Sequence, residues 1–113
     1  TMTFFGPDHV VDQYNLMGPV KGALESTMRY LAVELAPAGI RVHALSPGPV
    51  RTRAASGLPD FDELMDAARD ATPAHRLVGL EDVGGVAAFL ASDRAARLTG
   101  NIEYVDAGLH IAF

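Results

Sequence analysis

The stretch IRVHALS, residues 40 to 46, places the strongest constraint on the fold of this chain. It is apolar with little polar alternation, which is typical of a parallel strand covered on both faces. It follows the longest helical pattern of the sequence, residues 14 to 36, with the stretch APAGI between them. Pro37 and Gly39 in that stretch indicate a helix stop followed by a turn. A helix that leads into a buried strand predicts an α/β fold with a parallel sheet.

Apolar residues recur along the long helical pattern at spacings of three and four, which predicts one buried face. They are Leu16, Val20, Ala23, Leu24, Met28, Leu31 and Leu35. Proline is tolerated in a first helical turn but not in a helix interior. Because Pro19 falls early in the pattern, the regular helix is predicted to begin near Asn15 or Leu16.

The second half of the chain continues the alternation of helices and strands. The stretch PDFDELMDAARDA predicts a second helix, capped by Asp60 and Glu63 as a capping box. The residues predicted to share its apolar face are Phe61, Leu64, Met65 and Ala68. The stretch LEDVGGVAAFLASD predicts a third helix, and NIEYVD, residues 101 to 106, predicts a last short strand. The inward residues of the third helix are predicted to be Val83, Val86, Ala87 and Leu90.

The first five residues, TMTFF, predict the end of a further strand. The order is then strand end, helix, strand, helix, helix, strand, which predicts right-handed crossovers in a parallel sheet. The chain begins with Thr1 and not with Met. Residues 1 to 113 are therefore predicted to form a single partial domain, a fragment of a longer protein.

The composition narrows the classes of function. The chain has 113 residues, 49% of them hydrophobic and 20% charged, as expected of one globular domain. A net charge of -5 without a basic stripe argues against a nucleic-acid partner. There is no cysteine for a disulfide or thiolate site, the four histidines lack ligand spacing, and no metal is predicted. With no apolar run of about 18 residues and no visible signal peptide, no membrane partner and a cytoplasmic location are expected.

Lys21 is the only lysine beside eight arginines, and it follows Tyr14 by seven residues. Seven helical residues turn through about 700°, close to two full turns, so both side chains are predicted to face one side. A nearby ammonium lowers the pKa of a tyrosine, and such a pair can polarise a carbonyl oxygen and deliver a proton. The alternative is an aromatic residue at a helix start and a solvated charge. Spacing alone favours this alternative.

The stretch SPGPVRT, residues 46 to 52, directly follows the buried strand. Ligands of open parallel sheets bind beyond the carboxyl ends of the strands. A stiff turn there would let the backbone approach a flat ring closely and would present backbone groups and a hydroxyl. The residues concerned are Pro47, Gly48, Pro49, Val50 and Thr52. An ordinary loop between strand and helix is the alternative.

Four stretches resemble, in order and spacing, the enoyl-acyl-carrier-protein reductases, a divergent branch of the short-chain dehydrogenase/reductase superfamily. They are YNLMGPVKGALESTMRYLA, GIRVHALSPGPVRTRAASG, EDVGGVAAFLASD and TGNIEYVDAG. Common members of the superfamily use Tyr-x3-Lys, whereas the Tyr-x6-Lys spacing of Tyr14 and Lys21 marks the divergent branch. The resemblance runs from about Phe4 to Ile111. It implies the C-terminal portion of a Rossmann-type doubly wound parallel sheet.

The resemblance also implies a reaction of bacterial fatty-acid synthesis. A hydride would pass from NADH, with NADPH left open, to the β-carbon of a trans-2-enoyl thioester of acyl carrier protein. Tyr14 would hydrogen-bond the thioester carbonyl, and Lys21 would hold the nicotinamide ribose hydroxyls. The backbone of Val50 would bind the carboxamide, with Thr52 near the phosphates. The full-length family forms tetramers, so a homo-oligomer is expected.

A substrate region with a mobile lid near residues 53 to 73 is implied as well. Its candidate residues are Phe4, Tyr14, Met17, Ala54, Ala55, Phe61 and Leu64.

The chain departs from the family pattern at several points. Phe4 lies ten residues before Tyr14, where many members have a second tyrosine. Ala107 replaces a glycine of the usual VDGG, and Arg53 stands where leucine is common. The glycine-rich first turn that grips the pyrophosphate is missing. Two other functions stay open: a related oxidoreductase acting on a ketone or alcohol, and a non-catalytic remnant.

Overall fold

The structure is a computed structural model that describes residues 1–11, 14–53, 56 and 60–112. Within these residues the helices and the two strands follow the predicted order, but the strand end predicted at residues 1 to 5 is reduced to an isolated bridge at Met2. Their bounds are α1 Met17–Leu35, β1 Ala44–Pro47, α2 Phe61–Ala71, α3 Leu80–Ala91 and β2 Ile102–Val105. Short 3-10 turns follow α1, α3 and β2, at Ala36–Ala38, Asp93–Ala95 and Leu109–Ile111.

Parallel pairing organises the sheet around β1. Along one side, β1 pairs with β2 in parallel. Along the other, Met2 forms a parallel bridge with Leu45. The Thr3 N–H donates to the Leu45 carbonyl at 2.8 Å, and the Leu45 N–H donates to the Thr1 carbonyl at 2.9 Å. We call residues 1–3 the edge segment. The predicted α/β fold with a parallel sheet is confirmed.

The strand predicted over residues 40 to 46 is shorter than expected. β1 begins at Ala44, because the backbone before it bonds partly to side chains and not to a strand. The Val42 N–H donates to Thr99 Oγ1 at 3.1 Å, and a ring nitrogen of His43 lies 2.9 Å from the Leu98 carbonyl oxygen. Residues 40 to 43 therefore run alongside the loop before β2 without joining the ladder.

Helix α3 covers one face of the sheet. Its core cluster comprises Leu45, Leu90, Ala95 and Val105, packed against Val83, Val86, Ala87 and Leu98. The inward residues predicted for this helix are thereby confirmed. Arg41 fastens the end of α3, since its guanidinium donates to the carbonyls of Leu90, Ser92 and Ala95.

Helix α1 buries a different face from the predicted one. Its buried residues are Glu25, Met28 and Ala32. Of the predicted apolar face only Met28 is buried, and Leu16 and Val20 remain 79% and 53% exposed. The buried face still follows the helical period, but it includes a carboxylate that accepts a hydrogen bond from Thr3. The predicted apolar face is therefore wrong for Leu16, Val20, Ala23 and Leu31, which are exposed.

Helix α2 begins at Phe61 without the predicted cap. Asp60 has a φ of 52° and no side-chain cap hydrogen bond, whereas an N-cap residue uses an extended backbone to reach the first N–H groups. The predicted burial of Phe61 and Met65 is confirmed, but Leu64 is exposed. A carboxylate does serve α3, where Asp82 Oδ2 accepts from the Gly79 N–H at 2.8 Å. No helix among the described residues is both long and apolar enough to cross a bilayer.

Candidate active site

Tyr14 lies beyond the edge segment, in the turn that leads into α1. Its carbonyl accepts a hydrogen bond from the Met17 N–H at 3.0 Å, and its ring centroid lies 5.2 Å from that of Phe4. The ring also covers the backbone of Gly6, where a Cβ atom would lie only 2.9 Å from two ring carbons. Because β1 and the edge segment run in parallel, residues 4 to 6 emerge at the carboxyl ends of the strands. Tyr14 therefore stands at the edge of the sheet where ligands bind.

The predicted helical relation of Tyr14 and Lys21 is wrong. Tyr14 precedes α1, which begins at Met17. The residue after Tyr14, Asn15, has a φ of 50°, so the chain from Tyr14 to Lys21 is not one continuous helix. Lys21 Nζ donates to the Met2 carbonyl at 3.0 Å. No hydrogen bond joins the two side chains, both of which are described. Burial raises the pKa of Tyr14, so the expected lowering by the ammonium is not found. The phenol therefore keeps its proton at neutral pH.

The turn after β1 is held against the end of β2. The Gly48 N–H donates to the Val105 carbonyl at 3.0 Å, and a Cβ atom at Gly48 would lie 3.1 Å from Cα and Cβ of Asp106. A side chain at this position would therefore require the turn or Asp106 to shift. Two residues before Gly48, within β1, Ser46 is buried, and its Oγ has no hydrogen-bond partner in the described chain. A bare backbone at a strand end suits the close approach of a flat polar ring such as nicotinamide.

The loop continues toward α2 over a cavity of about 310 Å³. Its lining includes Val50, Arg51, Met65 and residues 77 to 81. Arg51 Nη1 lies 2.8 Å from Asp62 Oδ1, and its guanidinium sits 5.3 Å from the Phe61 ring centroid. Thr52 accepts a hydrogen bond at its carbonyl from the Ser56 N–H at 2.9 Å. The start of α2 is therefore tied to the turn that was predicted to hold the cofactor.

The predicted substrate residues are only partly brought together. Phe4 packs between Tyr14 and Phe5, the latter at a centroid distance of 4.3 Å. Met17 is exposed close to Tyr14, whereas Phe61 is buried against Arg51. Leu64 is exposed on α2, and the predicted residues Ala54 and Ala55 lie outside the described residues.

A polar cluster at the end of β2 was not predicted. Buried Asp106 accepts hydrogen bonds from the backbone N–H groups of Gly108 and His110 at 3.0 and 2.8 Å. The His110 ring stacks on Tyr104 at 3.9 Å, and the Tyr104 hydroxyl donates to Asp8 Oδ2 at 2.7 Å. Burial, together with this bond to Asp8, raises the pKa of Tyr104 to about 12. Through Asp8, the cluster contacts the loop that leads to Tyr14. In the sequence, the four-residue spacing of Asp106 and His110 was the one pattern that could have indicated it. Metal-ligating side chains do not gather in threes among the described residues.

The known proteins to which this chain is similar belong to one family. A family model described as enoyl-(acyl carrier protein) reductase matches residues 1–110. "Enoyl-[acyl-carrier-protein] reductase [NADH] FabI" of Escherichia coli K12 is 44% identical over 112 residues, which is 99% of this chain and 43% of that protein. The Synechocystis protein of the same name is 46% identical, with 98% of this chain and 43% of the relative covered.

Solved structures show the same likeness in three dimensions. The enoyl-acyl-carrier-protein reductase (NADH) of Aquifex aeolicus superposes with a TM-score of 0.90 at 45% identity, covering 98% of this chain and 43% of that one. The Bacillus cereus reductase, solved with NADP+ and indole naphthyridinone, gives a TM-score of 0.92 at 43% identity with the same coverage. The chain thus spans less than half the length of the relatives it matches.

Proposed function

Because the chain belongs to the enoyl-acyl-carrier-protein reductase family, we propose that it forms the C-terminal part of such an enzyme, within a Rossmann-type sheet. The enzyme would reduce trans-2-enoyl thioesters of acyl carrier protein with NADH, in the fatty-acid synthesis of the cytoplasm. The observation that carries this proposal is the common position of Tyr14 and Gly48. The phenol and the close-packed turn lie beyond the carboxyl ends of adjacent parallel segments, where a cofactor ring and its substrate can meet.

Tyr14 acts as a neutral hydrogen-bond donor in this proposal. When bound, the nicotinamide supplies a hydride to the β-carbon of the enoyl thioester. Negative charge then develops on the thioester carbonyl oxygen, and the Tyr14 phenol donates a hydrogen bond to that oxygen. The raised pKa of Tyr14 suits this role, because the proton must stay on the phenol until charge develops. Phe4 occupies the position of a second tyrosine and cannot donate, so Tyr14 carries the contact alone.

Lys21 holds the ribose of the nicotinamide half. Its bond to the Met2 carbonyl uses one of three ammonium donors, which leaves two for ribose hydroxyls. The bond also fixes the direction of a flexible side chain. The remaining cofactor contacts come from the turn after β1, with the Val50 backbone toward the carboxamide and Thr52 toward the phosphates. The turn residues Pro47, Gly48 and Pro49 bring that backbone close to the ring.

The acyl chain would lie between the helix-start turn and α2. Exposed apolar side chains on either side, Met17 on α1 and Leu64 on α2, support this position. Phe4, Phe61, Ala54 and Ala55 complete the proposed substrate region. The lid over it spans residues 53 to 73.

Self-association belongs to the same proposal. Helix α1 and its N-cap residue expose an apolar side, which includes Leu16, Val20, Tyr30, Leu31 and Val33. Exposed apolar surface of this kind marks a contact with protein. We place a homo-oligomer contact there, which light scattering of Val20→Asp beside the unsubstituted protein would test.

Single substitutions in the full-length protein that contains these residues test the reaction. Tyr14→Phe should lower kcat for an enoyl thioester by at least about 10²-fold, because one transition-state hydrogen bond is lost. The Kd for NADH should change little. Lys21→Ala should also weaken NADH binding, because the ribose loses its cation. Arg97→Ala, at an exposed position after α3, is the control.

Equal and small effects of Tyr14→Phe and Lys21→Ala on kcat and on the Kd for NADH would show that both are surface residues without a role in the reaction. Turnover of a free ketone in preference to the enoyl thioester would assign the protein to another branch of the superfamily. Failure of the full-length protein to turn over either substrate would identify a non-catalytic remnant.

A further inference from the structure

A carboxylate is buried on the sheet-facing side of α1. Glu25 is 3% exposed, and its Oε1 accepts a hydrogen bond from the hydroxyl of Thr3 at 2.6 Å. Thr3 is itself 5% exposed. Arg29 is the nearest cation, but its Nη2 lies 3.8 Å from Glu25 Oε2, beyond hydrogen-bond distance. Burial of an ionised carboxylate lowers the stability of a fold unless the carboxylate is paired. An apolar residue of similar volume at this position would lower the stability less.

The buried bond has a companion one turn earlier in the helix. Lys21 Nζ donates to the Met2 carbonyl, so Lys21 and Glu25 hold two consecutive residues of the edge segment. Side chains four apart lie on the same face of a helix. A slip of α1 by one residue would rotate both through about 100° and break both bonds. The two bonds therefore fix the register of α1 against the sheet.

The segment held in this way leads directly to the proposed catalytic tyrosine. Phe4 follows Thr3 at once, and its ring packs against Tyr14. Gly6 lies two residues further and supports the Tyr14 ring from below, with no room for a Cβ atom. A shift of Thr3 would therefore be passed through Phe4 and Gly6 to Tyr14.

We propose that Glu25 is a positioning residue for the reduction, which acts through Thr3 to hold Tyr14 and Lys21 in their working places. This inference rests on the proposed function of those two residues. Polar interactions buried inside proteins are best known for fixing register, and here the register concerns a helix and a strand that both contribute to one site. Glu25 touches neither substrate nor cofactor.

Paired substitutions in the full-length protein separate positioning from simple stability. Thr3→Val removes the hydroxyl donor at nearly constant volume, and Thr3→Ser restores it. Glu25→Leu removes the acceptor, whereas the amide oxygen of Glu25→Gln can still accept from Thr3. We expect Thr3→Val and Glu25→Leu to lower kcat on the order of 10-fold to 100-fold, the range produced by misplacing a catalytic group by about 1 Å.

Thr3→Ser and Glu25→Gln should restore most of the turnover. The Kd of NADH, measured by fluorescence titration without substrate, should rise in Thr3→Val because Lys21 loses its fixed direction. Asp93→Asn, at an exposed position after α3, should change neither quantity.

Combination with Tyr14→Phe gives the deciding measurement. If Thr3 acts through Tyr14, then Thr3→Val should lower kcat much less in the Tyr14→Phe protein than in the unsubstituted one, because the group it positions is already lost. If Thr3 only stabilises the fold, Thr3→Val should lower turnover by the same factor in the Tyr14→Phe and the unsubstituted protein, and kcat per folded molecule should not change. That result would overturn the proposal, and so would equal turnover of Thr3→Val and Thr3→Ser.

Two safeguards keep the test decisive. If Glu25→Leu does not fold, the comparison of Thr3→Val with Thr3→Ser still decides, since Val keeps the volume of Thr3 and Ser keeps its hydroxyl. Absence of enoyl-thioester reduction by the unsubstituted full-length protein would refute the proposed function together with this role. An active unsubstituted protein with an unaffected Thr3→Val form would refute the role of Glu25 alone.

Discussion

Removal of the Arg41 guanidinium should cost this fold more stability than removal of any exposed charge. The guanidinium lies at the end of α3 and donates to three backbone carbonyls, those of Leu90, Ser92 and Ala95. The last turn of α3 contains no basic residue of its own, so Arg41 supplies the positive charge from outside the helix. Arg41→Met keeps most of the apolar stem and removes only the donors and the charge.

The magnitude follows from the contacts. A hydrogen bond to a charged group contributes about 1.5–3 kcal/mol when buried, but this site is only partly buried, so about 1 kcal/mol for each carbonyl is appropriate. A cation at a helix C-terminus adds about 0.3–1 kcal/mol. The total loss in the free energy of unfolding is then about 3.5 kcal/mol. For a chain of this size, that lowers Tm by roughly 10–15 °C.

Urea denaturation followed by circular dichroism measures this loss. Arg97→Met, an exposed arginine two residues beyond Ala95, is the matched control and should change stability by less than about 0.5 kcal/mol. Arg41→Lys should recover less than half of the loss, because one ammonium cannot reproduce the planar fork of donors. A loss below about 1 kcal/mol for Arg41→Met would show that water replaces the guanidinium at these carbonyls and would refute the reasoning.

Three further outcomes are expected. The raised pKa of Tyr104 means that the folded state favours the neutral phenol. Its contribution to the free energy of unfolding should therefore be complete below pH 10 and disappear as the pH rises toward 12. Denaturation measured at pH 9 and 11 should show this loss in the unsubstituted protein and not in Tyr104→Phe. Gly48→Ala should weaken NADH binding by the full-length protein, measured by fluorescence, because the added Cβ would lie 3.1 Å from Asp106 and shift the turn after β1, whereas Gly84→Ala, which meets no neighbour, should not. Asp82→Ala should lower the free energy of unfolding by about 0.5–1 kcal/mol through loss of the bond to the Gly79 N–H, with Glu81→Ala as the control.

The sequence predicted the elements whose own pattern determines their burial. Val83, Val86, Ala87 and Leu90 recur at helical spacing, and α3 buries them because one apolar face meets one sheet face. The position of Gly48 at a strand end could also be predicted, since a turn after a buried parallel strand must lie at the ligand edge. Both features depend on residues close together in the chain.

The mistaken predictions concern contacts that periodicity does not contain. Apolar residues on α1 gave no indication that Glu25 would be buried, because its partner Thr3 lies 22 residues away. The bond from Tyr104 to Asp8 spans 96 residues, and the clasp of Arg41 on α3 spans about 50, so neither has a local signal. The pKa of Tyr14 was predicted in the wrong direction because burial of the phenol was not visible in the spacing to Lys21.

The parallel pairing around β1 sets the order in which this chain can fold. Next to β1, the contact between His43 and Leu98 joins residues 55 apart, and that between Val42 and Thr99 joins residues 57 apart. Each such contact requires closure of a long loop before any compensating interaction forms, which slows folding relative to helical proteins of equal size. Helices α1 and α3 need only local contacts and can form within about a microsecond. Substitutions in β1 should therefore act mainly on the folding rate, while those at exposed positions of α2 such as Leu64 should act mainly on the unfolding rate.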